Sequence, residues 1–138
     1  MRKNPVLVIP AEMAAIDRAR AFLKDRIGPG RLSEDDLFQF DLALVEILIN
    51  VIRYGFPDAS GEIRVTLVLE PELIRLEIRD DGIPFDPPAA PEPAFEEILI
   101  GKRKGGLGIH LARSFADRMT YRREGRENIL ILEKKLSK

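Results

Sequence analysis

The 138-residue chain has no cysteine and a single histidine. The first absence removes disulfides, thiolate nucleophiles and Cys-ligated zinc together; the second leaves little for an imidazole-rich metal site. Neither sign of charge is in excess, with 22 Lys and Arg against 23 Asp and Glu and a formal net charge of -1. With no global field to hold a polyanion, nonspecific nucleic-acid binding is disfavoured. Long apolar runs are missing too. Met1 to Pro10 contains only the short stretch Val6 to Ile9, too little for a signal-peptide core or a membrane span, so no membrane association is expected and the cytoplasm is the default location. There is no internal repeat, no Walker A pattern, and no Gly-x-Gly-x-x-Gly after the first strand, which excludes two common nucleotide folds. What is present suffices for a core: 45% of residues are apolar, seven are Phe, and 33% are charged. The length suits one folding unit, a single domain over 1–138.

Val6 to Ile9 reads as a short strand, closed by Pro10. From Ala11 to Ile27, Met13, Ile16, Ala19, Leu23 and Ile27 recur at helical spacing, so an amphipathic helix is expected with these residues facing the core. Gly28, Pro29 and Gly30 stop it, and Ser33 with Asp36 resembles a capping box for a second helix, Glu34 to Tyr54. Ile63, Val65, Leu67 and Leu69 alternate, as do Ile74, Leu76 and Ile78, predicting two strands joined through Glu70, Pro71 and Glu72. Asp81 to Lys104 holds five prolines and two glycines without a sustained period and reads as a long loop. Gly105 to Arg118 returns to helical spacing, and Met119 to Arg123 and Asn128 to Leu136 close the chain as a hairpin through Glu124, Gly125 and Arg126. This order predicts an α/β (α+β) two-layer sandwich, a mostly antiparallel sheet covered by helices on one face.

Within the second helix, Leu42 to Ile52 is apolar except at Glu46 and Asn50. Four residues apart, the two share a face, where carboxylate and carboxamide can converge on one object. A carboxylate in such surroundings needs a partner, a solvated cleft or a changed ionisation state. One reading is a structural ion pair of Glu46 with Arg53 or another basic residue. The other is a general base at Glu46 beside an oxygen ligand for a hard cation such as Mg2+ at Asn50.

The strand ending at Arg79 delivers Asp80, Asp81 and Gly82, which taken alone is turn chemistry. Functionally, Asp80 would be a fixed acceptor at a pocket floor, suited to an exocyclic amine such as that of adenine, with Gly82 admitting a planar ligand to the backbone. Gly105, Gly106, Leu107 and Gly108 stand where the loop meets the next helix, behind Lys102, Arg103 and Lys104. Either this is a flexible hinge with solvated lysines, or backbone amides and the helix dipole receive a phosphate tail. His110 on that helix is read as ordinary packing or a solvated side chain.

In order and spacing, Glu46-x-x-x-Asn50, Asp80-x-Gly82 and Gly106-Leu107-Gly108 resemble the N, G1 and G2 boxes of the Bergerat-fold ATPases, which include gyrase, heat-shock chaperones, mismatch-repair proteins and histidine kinases. The short chain, the run Asp80 to Pro87 and the run Gly105 to Ile109 look most like the bacterial anti-sigma-factor serine kinases. The resemblance implies a Bergerat-type sheet with an ATP lid over about residues 83–104, binding of ATP and Mg2+, phosphorylation of a serine on an anti-sigma-factor antagonist protein, and sequestration of a sigma factor. Carried over, Glu46 assists the serine hydroxyl, Asn50 ligates Mg2+, Asp80 recognises adenine beside Gly82, and Lys104, Gly105, Gly106, Leu107 and Gly108 surround the phosphates. Lys102, Arg103 and Lys104 are all open as the cation that meets the transferring group. Pro84 departs from the second glycine of the histidine-kinase form, Lys104 from the first glycine of Gly-x-Gly, and Tyr54 from a histidine frequent in related chains. A homodimer fits the same resemblance, with Val6 to Ile9 as an edge that a second copy could pair with. A competing reading keeps the pocket but transfers nothing, controlling a protein partner through lid state.

Overall fold

A computed structural model describes residues 4–56, 61–84 and 115–136. Among them run β1 (Val6–Pro10), a 3-10 turn (Met13–Ala15), α1 (Ile16–Ile27), α2 (Glu34–Asn50), a π-helical turn (Val51–Gly55), β2 (Glu62–Leu69), β3 (Leu73–Asp80), β4 (Arg118–Glu124) and β5 (Glu127–Lys135). The strands make one sheet in the order β1-β2-β3-β5-β4, and every neighbouring pair is antiparallel. The expected two-layer architecture is what forms.

Register follows from alternation. Ile63, Val65 and Leu67 on β2 lie on the face that β3 fills with Ile74, Leu76 and Ile78 and β5 with Leu130 and Leu132, all buried. Against this face pack Ala19, Leu23 and Ile27 of α1 and Phe40, Leu44, Ile47 and Leu48 of α2. Each fully buried Leu or Ile contributes roughly 1.5–3 kcal/mol, so the layer contact dominates the fold's stability. The opposite face is charged, with Arg75 paired to Glu133 at 2.8 Å and Arg79 reaching Glu127 at 3.5 Å, and Ile129, opposite Arg79 in register, is covered there.

Local signals explain the element ends. The Ser33 hydroxyl accepts from the Asp36 N–H at 3.0 Å, opening α2. Gly28 ends α1 at φ 72°, a backbone region that side chains disfavour, and Gly125 turns the last hairpin at φ 58°. Asp41, buried on α2, receives Arg20 at 3.0 Å and Lys24 at 3.4 Å and so fastens α1 to α2.

Three expectations are corrected. Met13 is exposed, because residues 13–15 form a 3-10 turn whose geometry turns it off the apolar stripe of α1. The second helix stays α-helical only to Asn50 and widens into a π turn. Arg118 opens β4 rather than ending a helix, since the Asp117 N–H already bonds the Glu133 carbonyl at 2.9 Å. No helix among the described residues is long and apolar enough to cross a membrane.

Candidate functional site

The long apolar face of α2 buries the helix, which leaves its two interrupting polar residues at the edge of the core. Asn50 is 3% exposed and Glu46 half-buried. The Asn50 amide nitrogen donates to the Glu46 backbone carbonyl at 2.7 Å, one turn back, where the helix widens into its π turn. That bond fixes which way the amide faces: Nδ2 is directed along the helix and Oδ1, the atom a hard cation takes, lies on the other side. Burial pushes the Glu46 carboxyl above its ordinary range, and the Arg53 charge opposes the shift. Among the described residues the Glu46 carboxylate makes neither a hydrogen bond nor an ion pair, so Arg53 acts on it as a field and no ion pair between these two forms.

Asp80 is a different case. It continues the face of Ile74, Leu76 and Ile78, so strand alternation delivers its carboxylate inward, where it is 5% exposed. Its Oδ1 accepts the Gly82 N–H at 2.9 Å and the Asn128 side-chain N–H at 2.9 Å. Burial raises its pKa above the ordinary value with a smaller push from Asp81, while Asn128, Gly82 and Arg123 hold it down. The two sites are joined at the backbone: Gly55, last residue of the π turn, accepts from the Ile83 N–H at 2.9 Å. A Cβ on Gly82 would stand 2.5 Å from the Gly55 carbonyl oxygen and 2.8 Å from its carbon. Glycine at 82 is therefore demanded by backbone packing before any ligand arrives. A π turn at this junction is in keeping with the frequent placing of such bulges at functional sites.

Beside this corner lies a cavity of about 350 Å³ lined by Gly55, Phe56, Gly82, Ile83, Arg123 and Arg126, with Asp81 and Pro84. Glu46, Asn50 and Asp80 are not among the described residues that line it; Asp80 lies behind Gly82, whose N–H its Oδ1 accepts. The structure thus joins the α2 end and the Asp80 corner through Gly55 and Gly82, while Lys104, Gly105, Gly106, Leu107 and Gly108, with Lys102, Arg103 and His110, lie outside the described residues, as does the lid beyond Pro84.

Asn128, Tyr121 and Arg123 were not singled out from the sequence. Asn128 is 5% exposed and pairs with Asp80 in the β3–β5 register; Tyr121 and Arg123 lie on the same face of β4. The signal was there: Asn128 opens the alternation continued by Leu130 and Leu132, a polar side chain at an inward position.

The residues present fit a nucleotide and a hard cation. A buried carboxylate with one oxygen that receives no donor among the described residues suits an N–H of a base, and the oriented oxygen of Asn50 suits Mg2+, whose remaining ligands are ordinarily waters and phosphates. Among the described residues there is no cluster of three or more His, Cys, Asp or Glu side chains that could cage a metal by itself.

A family model for the histidine kinase-like ATPase domain matches residues 9–134. Over 96 residues the chain is 31% identical to the serine/threonine-protein kinase BtrW of Bordetella bronchiseptica, covering 69% of this chain and 68% of that protein. It is 23% identical over 107 residues to an anti-sigma F factor of Clostridium acetobutylicum, covering 75% of this chain and 73% of that one. Among solved structures, the RsbU and RsbW domains of a Mycobacterium tuberculosis protein share the fold with a TM-score of 0.66 at 19% identity, over 97% of this chain and 33% of theirs.

Proposed function

The chain belongs to the histidine kinase-like ATPase family, on the side of the anti-sigma-factor kinases, and on that premise we propose that it transfers the γ-phosphoryl group of ATP to a serine of a small antagonist protein. The observation that carries the reading is the buried Asp80 carboxylate, one oxygen held by two N–H groups and the other without a donor among the described residues, at the glycine corner where α2's π turn meets β3.

In this reading Asp80 accepts the exocyclic N–H of adenine. Glu46 takes the proton of the serine hydroxyl as that oxygen bonds the γ-phosphorus and the bond from phosphorus to the bridging oxygen breaks, releasing ADP. Its raised pKa makes it a stronger base than a surface carboxylate, and Arg53 favours the ionised form the step requires. Asn50 Oδ1 would hold Mg2+, which when bound would neutralise phosphate charge. Lys104, Gly105, Gly106, Leu107 and Gly108 are assigned to the phosphate tail on the resemblance of their motif. Partner assignments belong to the same proposal: an anti-sigma-factor antagonist as phosphoacceptor, a sigma factor as the sequestered protein, a second copy along β1, and a cytoplasmic setting. The name of the anti-sigma F factor relative supports the two protein partners, and the end position of β1 among the described strands supports the second copy.

The test incubates the chain and Glu46→Gln with labelled ATP and candidate antagonist proteins. Label is expected on a serine of one candidate, with Glu46→Gln still binding MgATP but transferring on the order of a hundred- to ten-thousand-fold more slowly. Undiminished transfer by Glu46→Gln overturns the base assignment. Tight binding with no label on any candidate replaces the kinase with an ATP-controlled switch.

A further inference from the structure

The side chain of Asn128 has five polar neighbours sorted by type. Around its nitrogen stand three acceptors: Asp80 Oδ1 at 2.9 Å, the Ile83 carbonyl at 3.0 Å and the Gly82 carbonyl at 3.3 Å. Around its oxygen stand two donors, the Tyr121 hydroxyl and Arg123 Nη1, the latter at 3.0 Å. Only one amide orientation satisfies this arrangement, since the reverse sets oxygen against a carboxylate and two carbonyls, and N–H against a guanidinium. Arg123 also donates to the Gly82 carbonyl at 2.7 Å, so β4, β5 and the turn after β3 are tied into one unit. The consequence falls on Asp80. Its Oδ1 receives two donors, whereas nothing among the described residues donates to Oδ2.

Building on the nucleotide-binding reading, we propose that Asn128, clamped by Tyr121 and Arg123, is the positioning residue that leaves Asp80 a single usable oxygen, and so makes the site accept a base edge bearing an N–H and reject one bearing a carbonyl. A fixed, ionised acceptor needs no rearrangement to receive a 6-amino group. A 6-carbonyl meets it lone pair to lone pair, an unpaired contact in a buried place. Losing the clamp has two effects in the same direction. The carboxylate gains freedom to turn, and it loses one of the N–H donors that favour its ionised form. Of the charged groups acting on it, Asp81 opposes ionisation and Arg123 favours it, and the π turn contributes only the uncharged Gly55. A protonated Asp80 carries an O–H, which welcomes the 6-carbonyl that the ionised group rejects.

The experiment compares binding of MgATP and of the magnesium complex of inosine triphosphate, which differ at the 6-position, from pH 5 to 8 by calorimetry. The proteins are the wild type, Asp80→Asn, Asn128→Leu, Tyr121→Phe and Arg123→Met. Expected are strong preference for ATP in the wild type, loss of ATP binding in Asp80→Asn, and a fall in ATP preference of roughly tenfold or more in Asn128→Leu, deepening as pH falls. Tyr121→Phe and Arg123→Met keep the amide and loosen its clamp, so they show a smaller drop in the same direction and carry the test should Asn128→Leu not fold. If the wild type binds while all three clamp variants keep its ATP preference and pH profile, the inference is overturned and the nucleotide reading survives. If the wild type binds neither nucleotide, both fall.

Discussion

Two carboxylates occupy the candidate site, both lifted above their ordinary pKa by burial, and they are held in opposite ways. Asp80 sits at a strand end, fixed by the Gly82 and Asn128 N–H groups within a web spanning three strands. Glu46 sits on a helix with no hydrogen bond of its own among the described residues, tempered only by the field of Arg53. A recognition group gains from rigidity, since a preset acceptor discriminates between ligands. A proton acceptor gains from being left with unspent lone pairs. The same residue chemistry is divided by what surrounds it, and in the proposed function that division separates binding from transfer.

That comparison breaks if the strand corner is in truth soft. Gly82→Ala is the harshest probe, because its Cβ meets backbone atoms of Gly55 at 2.5 and 2.8 Å. Overpacking of this kind costs about 2–3 kcal/mol, lowering the unfolding midpoint by roughly 5–10 °C in a thermal melt. An unchanged midpoint means the corner yields, and the rigid half of the contrast is lost.

A smaller effect sharpens the helix side. Asn50→Ala removes the proposed cation oxygen while leaving Asp80 untouched. Calorimetry with and without Mg2+ is expected to show the magnesium-dependent part of ATP affinity reduced on the order of tenfold, the magnesium-free part unaltered. Equal losses under both conditions would move Asn50 from cation binding to helix structure.

The smallest effect concerns stability against pH. Both carboxyls have folded pKa values above their unfolded ones, so each contributes stability that is fully present below the unfolded value near 4 and lost as pH rises through the folded value. At neutral pH each charge is therefore a liability. Glu46→Gln and Asp80→Asn should each raise stability at pH 7 and flatten its decline above pH 4. The gain separates them functionally: Glu46→Gln keeps ATP binding, Asp80→Asn does not. Denaturant titrations at pH 4 and pH 7 read it directly, and a destabilised Glu46→Gln would show that its carboxylate has a structural partner.

Much of the architecture was legible because alternation is a strong local signal. β2 and β3 put every second residue into the core, the Ser33 hydroxyl marks the start of α2, and Gly125 marks the turn between β4 and β5. Asp80 was legible as an inward polar residue on that alternation. The π turn was not, since Ile47 to Ile52 is apolar nearly all round and gives no period to shift, and the Gly55 and Gly82 contact that accompanies it is tertiary. Asn128 was passed over because a polar residue at the start of a strand reads as part of the turn. Only the pairing of β3 with β5 sets it beside Asp80. The glycine-rich run at 105–108 was legible as a motif and lies outside the described residues.

Titrating MgATP into wild type and Asp80→Asn, side by side with their thermal melts, decides whether the buried Asp80 carboxylate serves an adenine nucleotide. The variant is expected to melt no lower than the wild type and to bind at least about 100-fold more weakly. Wild-type affinity in a fully folded Asp80→Asn would contradict that role.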